Sequence, residues 1–174
     1  DLLDLAKIES GKLSLELESL DLVQLIKEIT PIFRRPMEEK KITLKNHITL
    51  PCLPQPLADR GKIRQVLVNL LDNAVKFNTE GGSIILRAQI LENQIKILIE
   101  DSGIGIPEKS IPRIFERFYR VDKNRSRELG GTGLGLSIVK HIIEAHGGNV
   151  FCESTFGRGS TFSFTLPVHP QQPS

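Results

Sequence analysis

The stretch RQVLVNLLDNAVKFN, residues 64–78, carries the apolar periodicity of a buried helix together with several polar side chains. On a helical wheel of about 100° per residue, the apolar side chains cover an arc of roughly 200°. They are Val66, Leu67, Val68, Leu70, Leu71, Ala74, Val75 and Phe77. An arc this wide predicts that other elements cover most of the helix and that its polar strip lines a cleft. The polar strip consists of Gln65, Asn69, Asp72, Asn73 and Lys76.

The chemistry of this polar strip suits a site for magnesium and phosphate. Asn69 and Asn73 are one helical turn apart and therefore lie on the same side of the helix. The amide oxygen of an asparagine is a hard, neutral ligand of the kind that Mg²⁺ accepts beside water and phosphate oxygens. The ammonium group of Lys76 could contact those phosphates as a point charge. Taken alone, the segment is also compatible with a solvated helix face that carries two incidental asparagines.

The region before this helix shows both strand and helix patterns. Residues 13–17 and 41–48 alternate apolar and polar side chains, as strands with one buried face do. Between them, Asp21 is placed to cap a helix whose second half is interrupted by Pro31 and Pro36. The pattern therefore predicts a strand, an irregular helix and a second strand.

The region after the helix reads as a hairpin, a glycine-rich region, a further helix and a second hairpin. The apolar strands of the first hairpin are residues 83–91 and 94–101, and a periodic helix covers residues 134–146. The last two strands are expected at residues 149–155 and 160–166. Hairpins between three longer helices, without βαβ repeats, indicate the α+β class. We expect a two-layer α/β sandwich, with one mixed sheet and three main helices on one face.

Composition argues against several classes of function. The 174 residues carry a net charge of +2, with no Trp and one Tyr, and such a chain gives no support for nucleic-acid binding. Cys52 and Cys152 match no metal-ligand spacing, and we expect reduced thiols in a cytoplasmic protein, although the sequence alone is also compatible with a disulfide. No apolar run reaches membrane-spanning length, which leaves open a membrane anchor elsewhere in a full-length protein. The chain starts inside a helical pattern, so we expect it to continue upstream of Asp1.

The segment EDSGIGIP, residues 100–107, follows an apolar strand. A carboxylate at Asp101 could accept a hydrogen bond from an exocyclic amine. Gly103 and Gly105 would let a flat base approach the backbone. A tight turn whose aspartate caps its own backbone explains the same residues.

The segment GGTGLGLS, residues 130–137, leads directly into a helix, and a helix N-terminus favours an anion. Its spacing differs from the dinucleotide-binding fingerprint, and it lacks the GK[ST] of a P-loop. A flexible hinge is the alternative, and a hinge with a phosphate cradle would form a lid over a nucleotide. In IFERFYRVD, residues 114–122, aromatic side chains would anchor this lid, and Arg117 or Arg120 could reach a terminal phosphate.

Five motifs follow one another along the chain, in the order NLLDNAVKF, DSGIGIP, FERFYRVD, GGTGLGLSIVK and GRGSTFSFTLP. This series, within residues 60–167, resembles the N, G1, F, G2 and G3 boxes of sensor histidine kinases. The resemblance implies the Bergerat ATP-binding fold that these kinases share with gyrase B subunits, heat-shock chaperones and mismatch-repair ATPases. Residues 1–12 resemble the end of the family's dimerisation and phosphoacceptor helix. Residues 13–168 would then be the ATP-binding catalytic domain, and residues 169–174 a tail.

The resemblance also implies roles for single residues, with ATP as the nucleotide and Mg²⁺ as its ion. Asn73 would ligate Mg²⁺ and Asn69 would support it, while Lys76 would contact phosphate. Arg120 would approach the γ-phosphate, and Phe77 would pack near the nucleotide. Asn69, Lys76 and Arg120 form the implied catalytic set.

The remaining implied residues surround the base and the phosphates. Asp101 would accept a hydrogen bond from the adenine amino group, Gly103 and Gly105 would shape that pocket, and Thr161 would lie at its adenine end. The segment along the phosphates would consist of Gly131, Thr132, Gly133, Leu134 and Gly135.

The implied activity is transfer of the γ-phosphoryl group of ATP to a histidine outside this chain. None of the four histidines of the chain has the phosphoacceptor context of the family. The implied partners are the phosphoacceptor domain of the same protein or of its dimer mate, and the aspartate of a response regulator. We expect the fragment to be monomeric and the full-length protein to be a homodimer.

Three other functions share some of these residues. An ATPase of this fold uses a glutamate where this chain has Asn69, and an amide cannot take a proton from water. The presence of Asn73, Asp101 and the lid glycines together is evidence against a nucleotide-binding scaffold without catalysis. A serine kinase of the anti-sigma type has the same boxes, but residues 1–12 favour a histidine kinase.

Overall fold

The computed structural model describes residues 14–48, 53–121 and 131–168 of the chain. The strands in these ranges are β1 (Glu18–Ser19), β2 (Thr43–Asn46), β3 (Leu57–Ala58), β4 (Ser83–Leu91), β5 (Gln94–Asp101), β6 (Val150–Thr155) and β7 (Gly159–Pro167). The α-helices are α1 (Leu22–Ile29), α2 (Arg34–Glu39), α3 (Arg60–Lys76) and α4 (Gly135–Ala145). Two 3₁₀ helices lie at Thr30–Phe33 and Glu108–Arg113. The helix with the asparagines is α3.

The main sheet has five strands in the order β2-β4-β5-β7-β6. Strand β2 runs parallel to β4, and the other neighbours are antiparallel. The β4–β5 hairpin closes where Leu91 pairs with Gln94, as the sequence predicts. A separate two-stranded antiparallel sheet, β1 with β3, was not expected. The prediction of a mixed sheet is confirmed for the main sheet.

Helices cover one face of this sheet. Ile95, Ile97 and Ile99 of β5 are buried, and they belong to one apolar cluster with side chains of α1, α3 and α4. The opposite face carries charged side chains such as those of Arg87 and Glu100, which approach to 3.7 Å. The α+β class, the two-layer sandwich and the three main helices on one face are therefore confirmed.

The helical region before β2 is irregular for the reason that the sequence suggests. Asp21 caps α1, since its side-chain oxygen accepts a hydrogen bond from the backbone N–H of Gln24 at 2.9 Å. The chain changes into a 3₁₀ helix around Pro31, and α2 follows with Pro36 inside it. A proline has no N–H with which to continue the α-helical ladder.

The strand predicted at residues 13–17 is wrong over its described part. Residues 14–17 form no strand, and Leu17 is 55% exposed. Strand β1 begins only at Glu18 and pairs with the two residues of β3. Alternation failed as a signal here because no long partner strand is available to bury one face of the segment.

Several predictions fall on residues outside the described ranges. These are the phosphoacceptor-helix end at residues 1–12, the tail at residues 169–174, Cys52, and the ends of the two lid segments at Asp122 and Gly130. Among the described residues, Cys152 is a free thiol, as predicted. Within the same residues, none of the helices is both long and apolar enough to cross a membrane.

Candidate functional site

Helix α3 is held at both ends, which fixes the direction of its polar strip. The side chain of Asp59 caps the N-terminus by accepting a hydrogen bond from the backbone N–H of Lys62 at 3.0 Å. At the C-terminus, Lys40 Nζ donates to the carbonyl oxygens of Val75 and Lys76 at 2.9 and 2.8 Å. The apolar side chains face the core, and most of the polar strip is half-buried. This is the placement expected for one wall of a cleft.

The polar strip contacts both itself and α4. Lys76 Nζ lies 2.6 Å from Asp72 Oδ2, and Asn69 Nδ2 donates to the carbonyl oxygen of Gly135 at 3.3 Å. Asn73, one helical turn after Asn69, is half-buried. An ion pair between partly exposed side chains contributes little to stability, so Lys76 could exchange Asp72 for a phosphate at small cost. The structure thus brings Asn69, Asn73 and Lys76 to one surface.

Asp101 is the last residue of β5, and the alternation along that strand directs its carboxylate to the helix-covered face. The residue is 8% exposed, and its Oδ1 accepts a hydrogen bond from the backbone N–H of Gly103 at 2.8 Å. Burial raises the pKa of Asp101 to about 6, and the N–H groups of Gly103 and Ser160 counteract only part of that rise. A carboxylate has acceptor capacity for more than these bonds, so the amine of a base could bind here.

The glycine loop after β5 packs directly on the end of α3. A Cβ on Gly103 would lie 2.3 Å from the carbonyl oxygen of Phe77, and Ile104 N donates to that same oxygen at 3.1 Å. Gly105 has a φ of +67°, and a Cβ there would lie 2.2 Å from the carbonyl oxygen of Thr155. Only glycine fits these positions. The loop and the α3 terminus therefore form one continuous wall.

Residues of the segment 114–122 contact the glycine segment that precedes α4. Arg120 donates a hydrogen bond to the carbonyl oxygen of Gly131. Phe118 N donates to the carbonyl oxygen of Gly133 at 2.9 Å. Gly133 has a φ of +74°, and a Cβ on it would lie 2.9 Å from Phe118 Cα. Arg120 is thus close to the predicted phosphate segment, where its present partner is a backbone carbonyl.

The same segment continues into α4 beside the polar strip. Thr132 Oγ1 accepts a hydrogen bond from Leu134 N at 3.3 Å, and Leu134 is 3% exposed. A Cβ built on Gly135 would lie 3.8 Å from Asn69 Cγ, so the helix start is in contact with α3. The predicted phosphate segment and the polar strip therefore share one side of the molecule.

Thr161 does not share a face with Asp101. It pairs with Glu100 on β5 and with Glu153 on β6, whereas Asp101 pairs with Ser160. Successive side chains of a strand point to opposite faces. Thr161 therefore lies on the outer face of the sheet, and Ser160 lies on the inner face with Asp101.

Ser160 and Asn78 are buried polar residues close to Asp101 and to the end of α3 that the sequence analysis missed. Ser160 is 7% exposed, and its Oγ lies 2.9 Å from Ser154 Oγ. The alternation of Phe162 and Phe164, which are buried on the inner face, carried the signal that Ser160 points inward. Asn78, two residues after the end of α3, is 4% exposed. No periodic pattern marks it, because it belongs to neither helix nor strand.

Comparisons with known proteins give the chain a family match. The family described as histidine kinase-, DNA gyrase B-, and HSP90-like ATPase matches residues 58–170. The sensor histidine kinase WalK of Bacillus subtilis is 39% identical over 175 residues, which cover 99% of this chain and 28% of WalK. The chain thus spans well under two thirds of the curated relatives that it matches.

Solved structures give the same result. Full-length ShkA, solved in complex with AMPPNP, has a TM-score of 0.83 and 32% identity over 96% of this chain and 34% of ShkA. The nucleotide-free catalytic domain of histidine kinase ThkA has a TM-score of 0.77 and 32% identity over 88% of this chain and 97% of that domain. ThkA in complex with response regulator protein TrrA has a TM-score of 0.76 and 28% identity, over 99% of this chain and 48% of ThkA.

Proposed function

The chain belongs to the histidine kinase-, DNA gyrase B-, and HSP90-like ATPase family, and on this premise we propose that it is the catalytic domain with which a sensor histidine kinase binds ATP. The observation that carries this proposal is the position of Asp101. Its buried carboxylate lies beside the end of α3, whose polar strip holds Asn69, Asn73 and Lys76. A base at Asp101 and phosphates at the polar strip would occupy two ends of one cleft.

Different residues of the cleft contact the base and the phosphates of the nucleotide. Asp101 accepts a hydrogen bond from the adenine amino group, and Gly103 and Gly105 shape that pocket by letting the loop pack against the carbonyls of Phe77 and Thr155. Lys76 and Arg120 contact phosphate oxygens, after exchanging Asp72 and the Gly131 carbonyl for them. The segment from Gly131 to Gly135 supplies backbone N–H groups and a helix N-terminus to the phosphates.

The donor set also fits magnesium. Among the described residues no group of three or more His, Cys, Asp and Glu side chains could hold a metal, but Mg²⁺ commonly takes one or two protein ligands beside phosphate oxygens. The side-chain oxygen of Asn73 would hold it. The ion would neutralise phosphate charge during transfer.

The acceptor of the phosphoryl group is a histidine outside this chain, from which it passes to a response-regulator aspartate. The similarity to ShkA, solved with AMPPNP, supports nucleotide binding, and the similarity to histidine kinase ThkA, solved with response regulator protein TrrA, supports the relay. Hydrolysis is disfavoured because Asn69, whose amide donates to Gly135, cannot act as a general base. We propose that the intact protein is a homodimer in which the phosphoacceptor domain comes from the same subunit or its mate.

Titration calorimetry with Mg-ATP tests this function. Asp101→Asn and Asn73→Asp should each abolish or severely weaken binding while the circular dichroism of the folded domain is retained. The matched control is Glu100→Gln, which changes the neighbouring carboxylate on the outer face of the same strand and should bind normally. Unchanged affinity in both site variants would contradict the assignment.

A further inference from the structure

Asn78 is a buried polar side chain that makes none of the proposed contacts with the nucleotide. It lies two residues after Lys76, the last residue of α3, and is 4% exposed. Its Nδ2 donates to the carbonyl oxygen of Ser83 at 3.1 Å. Its Oδ1 accepts from Thr79 N at 3.0 Å and from Ser102 Oγ at 3.4 Å. The amide thus uses its donor and its acceptor at once.

These bonds join three elements of the fold. Ser83 is the first residue of β4, and Ser102 is the residue directly after Asp101. Ser83 N donates to Ser102 Oγ at 2.8 Å, and Ser102 N donates to the carbonyl oxygen of Ser83 at 3.1 Å. Through Asn78, the end of α3 is therefore connected to the start of β4 and to the loop that follows Asp101.

The Asn78 amide is closely surrounded by neighbouring atoms. A Cβ on Gly82 would lie 2.2 Å from Asn78 Oδ1 and 2.8 Å from Ser102 Oγ. One residue earlier, the carbonyl oxygen of Phe77 accepts a hydrogen bond from Ile104 N at 3.1 Å. Two consecutive residues at the end of α3 thus hold consecutive parts of the glycine loop.

We propose that Asn78 is a positioning residue for nucleotide recognition, which sets the distance between the phosphate-binding strip of α3 and the base-binding carboxylate of Asp101. This inference rests on the proposed ATP binding. One rigid ligand must reach Asn73 and Asp101 together, so a small shift of the loop relative to α3 would misalign one end of it. Asn78 itself touches no substrate.

The role of Asn78 can be separated from a merely structural one by the choice of base. Adenine presents an amino group where guanine presents a carbonyl oxygen. A correctly placed carboxylate at Asp101 therefore accepts from ATP and repels GTP. If Asn78 acts by placing that carboxylate, its loss lowers the preference for ATP over GTP, and a general loss of stability does not.

The experiment is calorimetric titration of the folded chain with Mg-ATP and Mg-GTP, with melting temperatures measured in parallel. In Asn78→Ala, ATP affinity should fall by about tenfold, the effect of one misplaced hydrogen-bonding group, and the ATP-to-GTP ratio should fall with it. Asn78→Asp should act in the same direction, because a carboxylate oxygen would replace the donor that faces the Ser83 carbonyl. Asn78→Ser, which restores one acceptor, should recover part of the ratio.

Two further variants keep the test decisive. Ser102→Ala removes two bonds of Ser102 Oγ, the one that it donates to the Asn78 amide and the one that it accepts from Ser83 N. Because the bond from Asn78 Nδ2 to the Ser83 carbonyl remains, this variant should give a smaller loss of the ratio, even if Asn78→Ala fails to fold. Leu166→Val, in the core at the far end of β7, should lower the melting temperature and leave the ratio unchanged. An unaltered ratio in folded Asn78→Ala and Ser102→Ala would overturn the positioning role. Absence of ATP binding by the unmodified chain would instead overturn the proposed function.

Discussion

Burial of the Asp101 carboxylate lowers the folding stability of the domain at neutral pH. Its carboxylate is 8% exposed, and burial raises its pKa from 3.8 to about 6. Between these two values the folded chain binds a proton that the unfolded chain has released. Folding stability therefore falls as the pH rises from 3.8 to 6. Above pH 6 the ionised carboxylate destabilises the nucleotide-free domain by up to about 3 kcal/mol.

This cost predicts that Asp101→Asn stabilises the domain that it inactivates. A neutral amide avoids the desolvation of a buried charge and can still accept the hydrogen bond from Gly103 N. Without nucleotide, the variant should melt at a higher temperature than the unmodified chain at pH 8, and the difference should shrink towards pH 5. Thermal unfolding followed by circular dichroism at several pH values measures it.

The neighbouring carboxylate provides the control for this prediction. Glu100 points to the outer face and has an ion-pair partner in Arg87 at 3.7 Å, so Glu100→Gln should give no comparable gain at pH 8. Equal melting temperatures of Asp101→Asn and the unmodified chain across the pH range would show that the burial of Asp101 carries no cost.

At the scale of elements, the sequence predicted best where the periodic pattern was long. Helices α3 and α4 and the hairpin of β4 and β5 lie close to their predicted positions, because many apolar side chains agree on one face. Short elements failed: β1 and β3 have two residues each, too few for a periodic signal. Contacts between elements were not predicted either. The bond from Asn69 to Gly135 and the network of Asn78 depend on the tertiary approach of separate segments.

The register of β7 gives a prediction at this scale. Thr161 lies on the outer face of the sheet and Ser160 on the inner face beside Asp101, although the family resemblance pointed to Thr161. Thr161→Val should therefore leave Mg-ATP affinity unchanged. Ser160→Val should weaken it, because the added methyl groups overpack the wall next to the carboxylate. Calorimetric titration of the two variants, which differ by one position along β7, shows which face of the strand borders the nucleotide. Normal binding by Ser160→Val with impaired binding by Thr161→Val would place Thr161 at the adenine, as the family resemblance implies.

At the scale of the whole molecule, the site is formed from segments far apart in sequence. The end of α3, the loop after β5 and the start of α4 meet on one side of the sheet, and each is recognisable as a motif in the sequence. The order of these motifs was enough to predict the fold and the family. The partners that the polar side chains take without a nucleotide, such as Asp72 for Lys76, follow only from the assembled structure.

The four histidines of the chain decide whether it can phosphorylate itself or needs a histidine in another part of the kinase. Among the histidines in the described ranges, His146 is the one with side-chain hydrogen bonds, and both of its ring nitrogens take part in them. Nδ1 lies 2.7 Å from the carbonyl oxygen of Ile142, and Nε2 accepts from Asp59 N at 3.0 Å. Neither nitrogen can attack a phosphoryl group without breaking its bond, which for Nδ1 is to a carbonyl of α4 and for Nε2 is to the residue that caps α3. The other histidines, His47, His141 and His169, lack the phosphoacceptor sequence context.

We therefore expect no autophosphorylation of this chain by γ-labelled ATP, although it binds the nucleotide. A longer chain that adds the phosphoacceptor helix should acquire an acid-labile label, as phosphohistidine does, and should pass it to a response regulator. The same longer chain with Asp101→Asn should remain unlabelled, which ties the label to this nucleotide site. Acid-labile label on the 174-residue chain alone would show that one of its own histidines is an acceptor, and the proposed division between the two parts of the kinase would then be wrong.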